Sequence, residues 1–441
     1  MQTLDPNLES SGRNGPATGQ IFFYFGSLTL LIYLATPSGY LVDIATSYML
    51  KDKLHATASQ VSMFRLLTGI PVYVAFIFGL IRDLWSPFGL RDRGYFLLFA
   101  PLTAAVFLWL AFSNLSYGGL LAGVILAMLS FRFIAAAYQA LIALIGQEKL
   151  MTGRLSTLWS IVSYIPLAAA AFASGLVAEH LQSRQTFLLI GALTFLVVAI
   201  AVWKPGAVFG QAYDAPQSRG TGFVGDLKRL VKHRAVYPAV LIMFLWNFAP
   251  GSATPLQFYL TNQLHASNAA YANYNGVFVV SFLPTLFLYG YLCKRVSLNK
   301  LLWWGTIVAI PQMVPLAFIH SATLAQVLAA PIGLMGGVAT AAYFDLAMRS
   351  CPAGLQGTLM MLVDGVYVLA QRGGDVLGSK IYNGDPVHGF LYCVVATTAV
   401  YALILPLILL IPREIIASAD GEPNAAVGAA ALPEPGRAEI A

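Results

Sequence analysis

Twelve stretches between residues 21 and 412 run for roughly 20 residues or more of mostly apolar sequence, near 21–49, 57–82, 95–113, 118–146, 155–178, 185–204, 236–262, 268–292, 300–319, 322–348, 355–380 and 388–412. A helix needs about 20 such residues to cross about 30 Å of hydrocarbon. In lipid, every backbone polar group must find its partner within the protein, and a helix supplies those partners within a single segment. The pattern therefore commits the chain to an all-α polytopic membrane fold of twelve transmembrane helices, with the lipid bilayer as its solvent. Composition agrees, because 58% hydrophobic against 10% charged residues leaves too little charge to cover a water-soluble surface.

The 25 Lys and Arg set the expected orientation. With both termini in the cytoplasm, eighteen lie in inner loops and tails, three (Lys51, Lys53 and Arg184) in outer loops, and four (Arg65, Arg132, Arg372 and Lys380) within or at the end of spans. Basic residues are retained on the cytoplasmic side during insertion, so a multi-pass protein of an inner or plasma membrane with cytoplasmic termini is expected. The net charge of +6 arises from this bias and forms no stripe, so no nucleic-acid partner is expected. The first twenty residues lack a basic region leading to a cleavage site, and the first span is expected to act as its own signal. Cys293, Cys351 and Cys393 have no metal-ligand spacing, the six histidines lie in loops or at span edges, and no HExxH motif or phosphate-cradling loop occurs. Neither a metal, a cofactor nor an enzymatic activity is expected.

The longest internal polar stretch divides the chain. The expected organisation is an N-terminal tail (1–20), a six-helix bundle (21–204), a linker (205–235), a second six-helix bundle (236–412) and a tail (413–441). Within the linker, "GDLKRLVKHR" (225–234) is expected to be solvated, with a short basic helix on the inner leaflet as the alternative. The last tail is rich in Ala, Pro, Gly and Glu and is expected to be disordered. The halves look related: "YMLKDKLHAT" (48–57) aligns with "FYLTNQLHAS" (258–267) at a shift of 210, and Gly153, Thr157 and Leu158 align with Gly354, Thr358 and Leu359 at a shift of 201. A parallel repeat of two units around a central site follows.

Charge is concentrated in one inner loop, "GLIRDLWSPFGLRDRGY" (79–95). Gly79 would admit a close helix approach, and Asp83 could accept hydrogen bonds from loop arginines or from the N-terminal end of a helix in the other half. The bland alternative is that the arginines only enforce topology. Gly79, Asp83, Gly89, Arg91 and Arg93 resemble the loop pattern of the major facilitator superfamily, which implies a cytoplasmic gate. The inserted "LWSPF", together with "LKDKLHATASQ" (50–60), Pro71, Pro87, Tyr95 and "CPAGLQGTLM" (351–360), resembles the folate-biopterin transporter family within it. Related permeases for peptidoglycan fragments share parts of the loop. The equivalent loop of the second half, "GYLCKR" from Gly290, has no acid, so a single asymmetric latch is expected.

Ionisable residues within spans are costly and need a partner or an aqueous cavity. Asp43 and Arg65 fall at similar depth in spans one and two and could pair, either as a fixed lock or in proton coupling. Arg132 lies near the middle of span four with Gln139 on nearly the same face. The superfamily resemblance implies that spans one, four, seven and ten line the cavity, where a guanidinium suits an anionic substrate; pairing with an acid such as Asp43 is the alternative. Asp364, Gln371 and Asp375 form one stripe on span eleven, and Arg372 can pair with Asp375. Asp364 has no local partner and is the foremost candidate for a carboxylate that cycles its proton, followed by Asp43 and Asp375. Asp345 lies near the inner end of span ten, at the gate or the water interface. Tyr138, Trp246 and Asn247, with Gln371, complete the candidate substrate contacts.

These features point to a monomeric secondary active transporter that moves a small organic anion, with folate or a pterin foremost, by proton-coupled alternating access. The alternatives are a peptidoglycan-fragment permease, a drug exporter with a more apolar cavity, or a non-transporting assembly factor that kept the fold.

Overall fold

The computed structural model describes residues 16–37, 42, 46, 49–113, 115–180, 182–209, 223–385 and 387–422. Each predicted stretch contains helix. The spans are, in order, Pro16–Ala35, Ala58–Tyr73 continued by Ala75–Leu84, Arg91–Phe112, Tyr117–Glu148, Thr152–His180 and Ser183–Val202 in the first half. The second half comprises Val236–Asn247 continued by Thr254–Phe258, Asn268–Leu292, Leu298–Ala309 continued by the 3₁₀ segment Ile310–Phe318, Ala322–Arg349, Gln356–Gly384, and Gly389–Ala402 continued by Ile404–Ile408. Among the described residues, nine helices are individually long and apolar enough to cross a bilayer. The fold is two six-helix halves, and the end that carries the loop 79–95, the loop after span eight and the linker helix is called here the basic end.

Local chemistry sets several boundaries. Thr57, Ser116, Ser267 and Ser321 cap the second, fourth, eighth and tenth spans by accepting a backbone N–H with their hydroxyls, a contribution of about 1 kcal/mol each. Pro71 lacks the amide hydrogen that a helix interior needs, and span two parts shortly after it, at Val74. The repeat is visible in the backbone. A π-type turn at Met49–Lys53 recurs at Tyr259–Gln263, the same 210-residue shift, and His55 and His265 beyond them both take positive φ, 47° and 52°.

Span seven departs from expectation. It was read as one helix over 236–262, but it breaks over 248–253, where the backbone lies against span eleven. Gly374 and Gly378 permit this: a methyl group on Gly378 would stand 1.7 Å from the Pro250 carbonyl oxygen. Asp375 caps the resumed helix, accepting the Thr254 backbone N–H at 2.8 Å and its hydroxyl at 2.9 Å. Asp375→Ala should therefore leave a part-buried N–H unpaired, at a cost of about 1–3 kcal/mol. Thermal unfolding in detergent should show it as a midpoint lowered by a few degrees, with a smaller loss for Asp375→Asn, whose remaining carbonyl can still accept.

Two expectations outside the spans are corrected. In the linker, Phe223–Lys232 is helical, with Asp226 and Leu230 buried and Arg229 donating to the Ala353 carbonyl at 3.0 Å, so this part is docked rather than solvated. The tail expected to be disordered from 413 forms a short helix at Arg413–Ile416 and buries Ile415, Ile416 and Asp420. Beyond Ile416 large apolar residues are few, but those two isoleucines are buried. Residues 1–15 and 423–441 lie outside the described residues.

The halves meet along two related seams. Span two packs on span eleven, and span eight on span five. At the first seam a methyl on Gly79 would stand 2.2 Å from the Gly357 carbonyl oxygen, and at the second a methyl on Gly290 would stand 2.8 Å from Thr157 Cγ2. Small residues let the backbones approach where lipid offers no hydrophobic drive.

Candidate functional site

A cavity of about 340 Å³ lies between the halves, within the range of small-molecule sites. Spans one, four, seven and ten contribute Tyr33, Arg132, Gln139, Trp246, Asn247 and Phe344, and span five adds Trp159, Ser163 and Tyr164 while span eleven adds Asp364 and Tyr367. The aromatic walls interlock: Tyr33 meets Trp159 edge-on at 5.8 Å and Trp159 meets Phe344 at 3.7 Å between ring centroids. Such faces suit a planar ring.

One ion pair crosses the cavity. Arg132 Nη1 of span four donates to Asp364 Oδ2 of span eleven at 2.7 Å. Asp364, expected to have no local partner, is paired instead with a residue of the opposite half. The guanidinium side chain is 7% exposed and the carboxylate 27%, so the cavity reaches the acid more than the base. Arg132 Nε is buried without a hydrogen-bond partner among the described residues. An unpaired buried donor costs about 1–3 kcal/mol.

The other candidates divide. Gln139, Trp246 and Asn247 line the cavity, with the Asn247 amide donating to the Met243 carbonyl at 2.8 Å. Tyr138 is buried in the wall and its hydroxyl is bonded to Thr29. Gln371 lies outside the lining and donates to the Tyr367 hydroxyl at 3.0 Å. The expected Arg372–Asp375 pair does not form, because Asp375 turns inward to Thr254 and Arg372 is exposed. Arg65 is exposed, and Asp43, its expected partner, lies outside the described residues. Sequence reasoning missed Tyr33, Trp159, Ser163, Tyr164 and Tyr367. Trp159 and Ser163 stand one helical turn apart on span five, a spacing that marks a common face.

At the basic end, Asp83 grips the start of span eleven. Its Oδ1 accepts the Gly357 N–H at 3.1 Å, and its Oδ2 accepts the Thr358 N–H at 2.7 Å and the Thr358 hydroxyl at 2.6 Å. Arg82 Nη1 donates to Asp83 at 2.8 Å and Arg82 Nε to the buried Asp92 at 2.6 Å. A carboxylate at a helix N-terminus meets the positive end of the macrodipole as well as free N–H groups. The same end also holds a second carboxylate, Asp420, whose carboxyl burial pushes above its ordinary range, with Asp345 adding to that effect and Arg154 opposing it.

The sequence profile of the Major Facilitator Superfamily matches residues 20–371, most of the chain. The chain belongs to this superfamily. It is 24% identical over 343 residues to the folate-biopterin transporter of Synechocystis sp., covering 74% of this chain and 68% of that protein. It is also 24% identical over 321 residues to folate transporter 2 of Plasmodium falciparum, covering 70% and 69%. Among solved structures, the superfamily transporter FucP in the outward conformation aligns with a TM-score of 0.66 at 16% identity, covering 89% of this chain and 98% of that one. The human organic anion transporter MFSD10 aligns with a TM-score of 0.60 at 15% identity, covering 90% and 100%. These two likenesses establish the shared fold.

Within this superfamily member the gate expectations are partly corrected. Gly79 and Asp83 sit at the seam, but Arg91 and Arg93 do not hold Asp83. Arg93 donates to the carbonyls of Ala201 and Val202 at the end of span six, at 2.8 and 3.4 Å, where its charge meets a helix C-terminus. Arg91 and Gly89 take positive φ, 49° and 70°, in the turn that leads into span three. Asp345 is fully buried rather than at the water interface, bonded by Arg349 at 2.9 Å and by the Tyr289 hydroxyl at 2.8 Å.

Proposed function

We propose that this superfamily member is a proton-coupled secondary transporter that carries a small organic anion of the folate or pterin class by alternating access. The observation that carries the proposal is the Arg132–Asp364 pair, formed between the halves inside an aromatic-walled cavity with Arg132 Nε unspent. A substrate carboxylate would take the guanidinium, for which planar bidentate geometry is well matched. Asp364, released from its cation, would be the carboxylate that carries the coupled proton. Proton and anion would then enter together, and their joint presence would remove the charged tie between the halves. Trp159 and Tyr164 would flank the ring of a pterin.

The names of the relatives support this substrate class. The Lys and Arg bias supports an orientation with the basic end and both termini in the cytoplasm. In that orientation Asp83 and the start of span eleven form the cytoplasmic gate, and the protein works as a monomer in an inner or plasma membrane. A scaffold that had kept only the fold would have no use for a charged pair facing a cavity, and a drug exporter would be served by more apolar walls.

The test is uptake of labelled folate by the purified protein in proteoliposomes, with and without an imposed proton gradient. Saturable uptake stimulated by an acidic exterior is expected. Uptake equal to that of empty liposomes in both conditions, from folded protein, would remove folate; uptake indifferent to the gradient would remove proton coupling.

A further inference from the structure

The loop after span eight has no acid to match Asp83, yet the place such an acid would occupy is filled. Asp420, beyond span twelve, lies at the junction of spans eight and five. Its backbone N–H donates to the Cys293 carbonyl at 2.8 Å, at the end of span eight. Its Oδ1 accepts the Gly153 N–H at 2.9 Å and its Oδ2 accepts Arg154 Nε at 2.6 Å, both in the first turn of span five. The Asp420 carboxylate is completely buried. This mirrors Asp83, which joins the end of span two to the first turn of span eleven. Around each carboxylate the helices approach through a glycine, Gly79 or Gly290.

The segment that delivers Asp420 is itself anchored. Arg349 Nη1 donates to the Ser418 carbonyl at 3.0 Å while its other nitrogens hold Asp345 of span ten. The Leu298 N–H reaches the same Ser418 carbonyl at 3.4 Å, and Ile415 and Ile416 are buried. Spans nine and ten and the carboxy-terminal segment are thus fastened to one another, and Asp420 reaches from them to the first turn of span five, where Arg349 Nε also meets the Thr152 hydroxyl at 3.1 Å.

We infer that Asp420 is a second gating residue, standing in for the acid that the loop after span eight lacks. Residues 413–422 then form a strap that must release span five before the basic end can open. The inference rests on the alternating-access reading. The two carboxylates close the two seams of one gate, so releasing either shifts the same equilibrium.

The native cysteines allow a test that needs no substrate. Cys351 is buried beside the first seam, next to the Gln147 amide that donates to its carbonyl at 2.9 Å, while Cys293 is buried at the second. In full-length protein with Cys293→Ala and Cys393→Ala, alkylation of Cys351 by a water-soluble maleimide reports opening of the far seam. Asp420→Asn should raise its rate about tenfold, the effect of losing one charge-assisted bond, and Arg154→Gln should do the same. The Asp83→Asn protein is the control. If Asp83→Asn raises the rate while Asp420→Asn and Arg154→Gln leave it unchanged, Asp420 is only a local anchor and the inference fails. If none of the three raises it, the gate itself is wrongly assigned and the transport reading fails with it. Because Arg154→Gln leaves the strap's own residues intact, agreement between the two variants separates gating from misfolding of the tail.

Discussion

Arg132→Gln should reduce folate uptake by on the order of a hundredfold or more while leaving a folded protein. Removing one partner of a buried ion pair costs about 3–5 kcal/mol when the other must stay charged. Asp364 escapes much of that penalty, because its carboxylate is 27% exposed to the cavity and can be hydrated there. The helices therefore stay packed, and what is lost is the only charge opposite Asp364 within bonding distance in the described structure. Arg132→Lys should fall between, since an ammonium keeps the charge but cannot present two parallel donors. Asp364→Asn should separate binding from coupling: substrate exchange across the membrane should persist, whereas accumulation driven by a proton gradient should vanish. Full gradient-driven uptake by Arg132→Gln would dismiss the proposed role of the pair.

The second large effect concerns Gly79. A Cβ there would lie 2.2 Å from the Gly357 carbonyl oxygen and 2.9 Å from Thr358 Cα, both backbone atoms that no rotamer change can move. Gly79→Ala must therefore part spans two and eleven, and it pulls Asp83 from the N–H groups of Gly357 and Thr358 as it does so. Overpacking costs typically about 1–3 kcal/mol, which is a shift of up to about a hundredfold in the ratio of closed to open basic ends. Pulsed spin-label distances across that seam should lengthen, and transport should slow because the closed state becomes rare. Gly118→Ala, where nothing lies within 4 Å of the added methyl, is the matched control. Unchanged distances in Gly79→Ala would show that the seam yields elsewhere.

Much of the fold was legible because lipid demands long apolar helices and because Ser and Thr caps mark their starts. The contact of Asp83 with the first turn of span eleven was legible because an acid stands among the arginines of a loop where topology alone calls only for positive charge. The Arg132–Asp364 pair was hidden by distance along the chain, since the two residues are separated by 232 positions and only the packing of span four on span eleven brings them together. Arg93 was misplaced for a related reason: a basic residue is drawn to any helix C-terminus, and which one lies near depends on how span six returns. Span seven carries its breakers, Pro250 and Gly251, in plain view, but apolar length alone permits a continuous helix there. The decision rests with the glycines of span eleven, which let the broken backbone in.

The exchange of carboxylates between the halves also orders events during synthesis. The first six spans contain Asp83 but not the Gly357 and Thr358 amides it binds, and they contain the Gly153 amide but not the Asp420 carboxylate that caps it. A ribosome that has inserted only the first half has therefore made one half of each fastening and neither complete. The seam through span eleven can close once residue 358 is in place, whereas the seam through span five waits until all twelve spans have been made and residue 420 has emerged. Until then the unfinished protein has a first half with a loose acid and an uncapped helix facing the space its sister will occupy, a surface that quality-control proteases and chaperones of the membrane could read as incomplete.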